Sequence, residues 1–160
     1  MSYNRNIQER IEETMNSFIR LTIPARAEYI DMVRLTLFGI ANKAGFSYEE
    51  IEDMKVAVTE ACTNVVLHAY SDGQPGLVDI IFELEKEEIS IRIKDEGNSF
   101  QYEPSKGKPV SLHDKELSEV TAGGLGLFMM NALMDKVEVL SERGTEVILT
   151  KLIGRKEEMA

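Results

Sequence analysis

The segment Thr59-Glu60-Ala61-Cys62-Thr63-Asn64-Val65-Val66-Leu67-His68-Ala69-Tyr70 places Glu60, Asn64 and His68 at four-residue intervals inside an otherwise apolar run. Residues four apart project from nearly the same side of a helix, so these three form one polar line. Beside it, Ile51, Met54, Val58, Ala61, Val65 and Ala69 recur at helical spacing and make an apolar stripe wide enough to face a core. The polar line therefore borders buried surface and is not on the solvated back of the helix. A carboxylate and a carboxamide at such a border need partners or a ligand, because burying either one unsatisfied is costly. Two readings follow from the helix alone: a polar border bonded to neighbouring loops, or one wall of a ligand site.

Working outward, Ser47-Tyr48-Glu49-Glu50 sets a serine three residues ahead of a glutamate, the capping-box pattern, so the helix starts at Tyr48 and runs to about Tyr70. Ser71-Asp72-Gly73-Gln74-Pro75-Gly76 is dense in turn formers and closes it. Upstream, Ile30, Val33, Leu37, Ile40 and Ala41 predict a helix over Glu28 to Ala44, ended by Gly45. Ahead of it, Ser17 to Ile23 alternates and is followed by Pro24, the pattern of a strand near a sheet edge.

Downstream, Leu77 to Leu84 and Glu88 to Lys94 are β-rich runs separated by Glu85-Lys86-Glu87, an antiparallel hairpin that delivers the chain to Asp95-Glu96-Gly97. Val137 to Leu140 and Thr145 to Leu152 form another hairpin around Glu142-Arg143-Gly144. Hairpins dominate, so the expected fold is α+β: a two-layer sandwich of a mixed, mainly antiparallel sheet with helices on one face.

Between the hairpins, Asn98 to Thr121 carries Pro104, Gly107, Pro109 and three lysines with little apolar periodicity. A loop this long in a small domain is either a cover over a site or a surface insertion with a short helix around His113 to Val120. Flanking glycines favour the cover. Gly123-Gly124-Leu125-Gly126 then runs into Leu127, Met130, Leu133 and Met134 at helical period. A glycine turn opening a helix offers unpaired N–H groups and the positive end of the helix dipole, which suits phosphate, although such a turn also serves as a joint.

A chain of 160 residues with 43% hydrophobic content fits one domain. Its net charge of -10 argues against gripping phosphodiester backbones, so direct nucleic-acid binding is not expected. Cys62 is the single cysteine, which leaves no disulfide framework and no cysteine-based zinc site; it reads as a small core residue. No apolar run approaches the roughly 20 residues that cross a bilayer. The amino terminus is too polar for a secretory signal, so no membrane association and a cytoplasmic location are expected. Met1 to Asn16 reads as an extension and the last residues, 153–160, as a charged tail.

Four pieces converge: Glu60 with Asn64 on a helix, Asp95-x-Gly97 after a strand, Gly124-x-Gly126 opening a helix, and Gly144-Thr145 entering the last strand. In this order they resemble the ATP-binding domain of the GHKL superfamily, which includes gyrase, Hsp90, histidine kinases and MutL. The likeness covers about residues 17–152. Arg34-Leu35-Thr36-Leu37, Ile51-Glu52-Asp53-Met54-Lys55, Glu60-Ala61-Cys62-Thr63-Asn64, His68-Ala69-Tyr70, Asp95-Glu96-Gly97-Asn98-Ser99-Phe100 and Gly123-Gly124-Leu125-Gly126-Leu127 are similar to the small bacterial anti-sigma serine kinases. The Ser99-Phe100 wording matches their stress-response branch better than their sporulation branch.

The resemblance implies an ATP-dependent protein-serine/threonine kinase that phosphorylates an anti-anti-sigma (STAS) protein and otherwise clamps a general-stress sigma factor of the sigma-B type, as a homodimer joined near Phe18 to Ile23. It implies Glu60 as the base and Asn64 as the Mg²⁺ ligand. It implies Asp95 and Gly97 at the adenine with Thr145 beside them, Gly124, Leu125 and Gly126 at the phosphates, and residues 98–122 as the lid. Arg34 matches a partner-contacting arginine or is an exposed helix charge; His68 is a packing or capping residue or a functional one. The sporulation branch has an arginine before the glycine turn where this chain has Thr121-Ala122-Gly123, so the cation facing the phosphates is left open among Lys106, Lys108 and Lys115. Met1 to Asn16 holds no histidine to act as a phosphoacceptor, which disfavours a histidine kinase. A non-catalytic, ATP-dependent sigma-binding module is the other alternative; it needs a metal ligand but no base, so Glu60 beside Asn64 favours catalysis.

Overall fold

A computed structural model of the chain describes residues 18–68, 76–95, 124–141 and 144–154. The expected extension over 1–16, Gly97, the expected lid, its three lysines and most of the charged tail lie outside these residues.

The strands are β1 (Phe18–Pro24), β2 (Leu77–Leu84), β3 (Glu88–Asp95), β4 (Lys136–Leu140) and β5 (Glu146–Leu152). The helices are α1 (Ile30–Ala44), entered through a single 3-10 turn at Ala27–Tyr29, α2 (Tyr48–His68) and α3 (Gly124–Leu133). The sheet order is β1-β2-β3-β5-β4. All four pairings are antiparallel, so among the described residues the sheet is not the mixed one expected. The reason is local: each parallel pair needs a long crossover, whereas here β2–β3 and β4–β5 are direct hairpins and β5 returns beside β3.

Sheet register follows the pleat. Ile80 faces Ile93 across β2–β3, Ile91 faces Leu149 across β3–β5, and Val139 faces Val147 across β4–β5. These residues, with Val78, Phe82, Ile89 and Val137, are buried on one side of the sheet. Alternation turns Arg20, Asp79, Arg92, Lys94, Glu146 and Glu138 to the other side, which also carries Ile148, so most of the apolar side chains share the first face.

The helices supply it as one layer: α1 packs over β2, α2 over β3 and β5, and α3 over β4. α2 buries Ile51, Met54, Ala57, Val58, Ala61, Cys62 and Val65, the stripe read from the sequence widened by Ala57 and Cys62. Its start is set at Ser47, whose hydroxyl oxygen accepts the Glu50 N–H at 3.2 Å. The Ser47 hydroxyl in turn donates to the Glu50 carboxylate at 2.9 Å, tying the two side chains together at the helix start. Gly45 ends α1 at φ 95°, a conformation that costs glycine nothing.

Edge strand β1 is tied down from the solvated face. Arg20 forks onto the Asp79 carboxylate at 3.3 and 2.7 Å, and the Thr22 hydroxyl donates to it at 2.5 Å. The Arg20 hydrogen bond holds the Asp79 carboxyl below the usual carboxylate range, helped by Thr22 and by the positive charges of Arg20 and Lys94. A carboxyl with a lowered folded pKa stabilises above its unfolded pKa, so this attachment is complete above about pH 4 and is lost as pH falls through the lowered value. Asp79→Asn is expected to speed hydrogen exchange of β1 amides roughly two- to five-fold at neutral pH while leaving β3 unchanged. Hydrogen exchange followed by NMR checks this, and wild-type protection of β1 in the variant would refute it.

Candidate active site

The two polar residues that open the site, Glu60 and Asn64, lie half-buried one turn apart on α2. Helix α3 crosses them at its first turn, where Gly126 has no side chain. A β-carbon at Gly126 would stand 3.0 Å from Glu60 Oε2 and 3.4 Å from Asn64 Nδ2. The bare α-carbon therefore brings α3 against the carboxylate and the amide together. The sequence reading expected Gly126 to present backbone donors to phosphate; the structure adds that its missing side chain makes room for Glu60 and Asn64. Among the described residues no cation pairs with Glu60.

A second cluster forms where β3 ends beside the start of β5. Asp95 lies on the helix-covered face, opposite Val78, and is 1% exposed. Its backbone N–H donates to the Thr145 carbonyl at 3.0 Å, and its Oδ2 accepts the Thr145 N–H at 3.3 Å. The exchange pins the carboxylate to the entrance of β5. Gly144 makes the approach possible: it has φ 73°, and a β-carbon there would sit 2.2 Å from the Asp95 carbonyl oxygen. The sequence reading placed Gly144 in a hairpin turn and missed this contact, although Gly-Thr directly before a strand was a visible signal.

The Thr145 hydroxyl in this cluster is buried and has no hydrogen-bond partner among the described residues. Such an oxygen is costly unless something satisfies it. A carboxylate accepts hydrogen bonds and a hydroxyl both donates and accepts, so the pair is chemically able to hold a group that carries both donors and acceptors.

The remaining sequence candidates divide. Gly124 opens α3, as expected, and Leu125 follows it within the helix. Gly97 and the side chain of His68 lie outside what the structure describes. Cys62 is 1% exposed and burial pushes its thiol up to about 12, so it remains a neutral core group apart from the chemistry. Arg34 is no free surface charge: it meets the Asp31 carboxylate and donates to Thr59 on α2.

This arrangement, helices over an antiparallel sheet with a carboxylate–glycine pair at one end and a carboxylate–amide pair beside a glycine-opened helix, can be set against known proteins. The family described as "Histidine kinase-like ATPase domain" matches residues 23–151. Serine-protein kinase RsbW of Staphylococcus aureus, in strains including JH9 and Newman, is 42% identical over 148 residues, 91% of this chain and 92% of the relative. The chain belongs to the RsbW family of serine-protein kinases. As a member of that family it is an ATP-dependent serine-protein kinase with the GHKL fold.

Solved structures agree on the fold. The RsbU and RsbW domains of Rv1364c from Mycobacterium tuberculosis superpose with TM-score 0.60 at 21% identity, over 85% of this chain and 32% of that longer one. The SiaB–SiaC complex from Pseudomonas aeruginosa gives 0.53 at 12% identity, over 95% of this chain and 98% of that one. At these identities the likeness is one of architecture. Among the described residues no helix is long and apolar enough to cross a membrane.

Proposed function

We propose that this kinase phosphorylates a serine or threonine of an anti-anti-sigma protein of the STAS type and otherwise sequesters a general-stress sigma factor of the sigma-B type, as a cytoplasmic homodimer joined along edge strand β1. The kinase domain in this reading spans 17–152 with residues 98–122 as its lid. The observation that carries the reading is the meeting of Glu60 and Asn64 over the bare α-carbon of Gly126.

Each residue has a task that its chemistry permits. Asp95 accepts hydrogen bonds from the adenine amino group, and the Thr145 hydroxyl gains the partner it lacks; Gly97 keeps the wall beside the base clear. Gly124, Leu125 and Gly126 offer backbone N–H groups to phosphate oxygens at the opening of α3. Glu60 takes the proton of the attacking hydroxyl. Asn64 gives an amide oxygen to Mg²⁺, a hard cation suited to oxygen ligands, and Mg²⁺ supplies neutralisation of phosphate charge when bound. Among the described residues no cluster of three or more His, Cys, Asp or Glu side chains forms a metal site. One amide together with phosphates and water fits the way Mg²⁺ is usually held. Arg34, on α1, contacts the protein partner.

The test is transfer of label from γ-labelled ATP, with Mg²⁺, to the cognate STAS protein, with phosphoamino-acid analysis of the product. Absence of transfer from a protein that binds ATP would refute the kinase reading for this pair. A companion measurement addresses the metal: Asn64→Ala is expected to weaken Mg-ATP binding roughly ten- to hundred-fold in calorimetry and to change metal-free ATP binding little. Equal Mg-ATP affinity in the variant would withdraw the metal role.

A further inference from the structure

Arg34 Nη1 donates to Thr59 Oγ1 at 3.0 Å, from α1 to α2. The Thr59 hydroxyl passes its own proton to the backbone carbonyl of Lys55, one turn earlier, at 2.6 Å. On its other side the guanidinium meets Asp31. A chain of bonds thus runs from Asp31 through Arg34 and Thr59 to the Lys55 carbonyl, and it passes through Thr59, the residue directly before Glu60.

The chemistry of this chain is directional. A hydroxyl has one proton; once it is committed to Lys55, the oxygen lone pairs are left for the guanidinium. The ionised donor makes the bond stronger than a neutral one and polarises the next bond in line. A threonine bonded back to the carbonyl four residues earlier often bends its helix, and here that bond lies in the turn that leads into Glu60. Glu60 meets α3 at Gly126, where an added β-carbon would stand 3.0 Å from its Oε2, so the direction in which α2 presents the carboxylate decides how it meets that turn. Arg34 keeps only 34% of its side chain exposed, so much of it is given to this contact in place of solvent.

We propose that Arg34 and Thr59 are a positioning pair for Glu60, setting the turn of α2 that aims the carboxylate, so that the phosphoryl-transfer step depends on their bond and substrate affinity does not. The proposal deepens the kinase reading and rests on Glu60 as its base. A displacement of about 1 Å at a reacting group costs roughly a hundred-fold in rate, which sets the scale of effect.

Steady-state phosphorylation of the STAS protein by Mg-ATP tests it, with thermal melting to show that each variant is folded. Thr59→Val, which keeps shape and removes the hydroxyl, is expected to lower kcat roughly ten- to hundred-fold with both KM values within about twofold. Thr59→Ser restores kcat. Arg34→Met lowers kcat as well, and adding Thr59→Val to it lowers kcat no further. Wild-type kcat in Thr59→Val, or losses that multiply in the double variant, would overturn the pair. So would a rise in KM for the protein substrate in Arg34→Met with Thr59→Val silent, the signature of a docking contact alone. Glu60→Gln in the same assay keeps the two claims apart. Activity in Glu60→Gln removes the base reading, whereas a normal Thr59→Val beside a dead Glu60→Gln removes only the pair.

Discussion

Glu60→Gln is expected to bind ATP as the wild type does and to transfer phosphate roughly a hundred- to ten-thousand-fold more slowly. The carboxamide is nearly the same size as the carboxylate, so the packing against Gly126 and the line with Asn64 survive, and the proton acceptor alone is lost. The same change separates two functions of one chain. A nucleotide-dependent clamp on a sigma factor needs no base and should persist, which makes the variant a kinase-dead inhibitor. Single-turnover transfer measured beside calorimetric ATP affinity checks both halves. Transfer at the wild-type rate would end the base assignment.

Gly144→Ala is expected to cost about 2–4 kcal/mol of stability and to weaken ATP binding at least tenfold. Two effects add: a side chain must adopt φ 73°, and its β-carbon would stand 2.2 Å from the Asp95 carbonyl, with the Asp95 carboxylate at 3.0 Å. The first costs roughly 1–3 kcal/mol alone. The second offers no escape through side-chain rotation, because the obstruction is backbone. Relief requires β5 to move from β3 where the two exchange bonds through Asp95 and Thr145, and that displaces the groups proposed to face adenine. Thermal unfolding should show a fall of roughly 5 to 15 °C for a domain of this size. A melting point within a degree of wild type would mean that the turn relaxes freely and that the close approach is not required.

How far the fold was legible depends on what each element asks of the rest. The stripe from Ile51 to Val65 and the Ser47–Glu50 cap are local signals, and they defined α2 to its first residue. Gly45 and the β-rich runs of β2 and β3 were equally local. Strand order was not: that β5 lies beside β3 depends on Ile91 meeting Leu149, a pairing between distant segments. For the same reason the sheet was expected to be mixed, although every described pairing is antiparallel.

In the site, Glu60 and Asn64 could be read because one helix carries both. Asp95 and Thr145 came only through family likeness, since their mutual bonds span the sheet. Gly144 was read with Thr145 as one of the converging pieces, but its close approach to Asp95 was not legible because the constraint is the backbone of another strand. Thr59 stood in the opening segment without a role, because its partner Arg34 is on another helix and their meeting is a matter of packing.

The central claim is that ATP lies between the Asp95–Thr145 end of the sheet and the Glu60–Asn64 face of α2. A crystal structure with Mg²⁺ and a non-hydrolysable ATP analogue tests it most directly. The account requires the adenine amino group on the Asp95 carboxylate, the Thr145 hydroxyl satisfied by the base or by a bridging water, and a metal on the Asn64 amide oxygen. An analogue seated elsewhere, or one bound with Asp95 and Thr145 untouched, would contradict it.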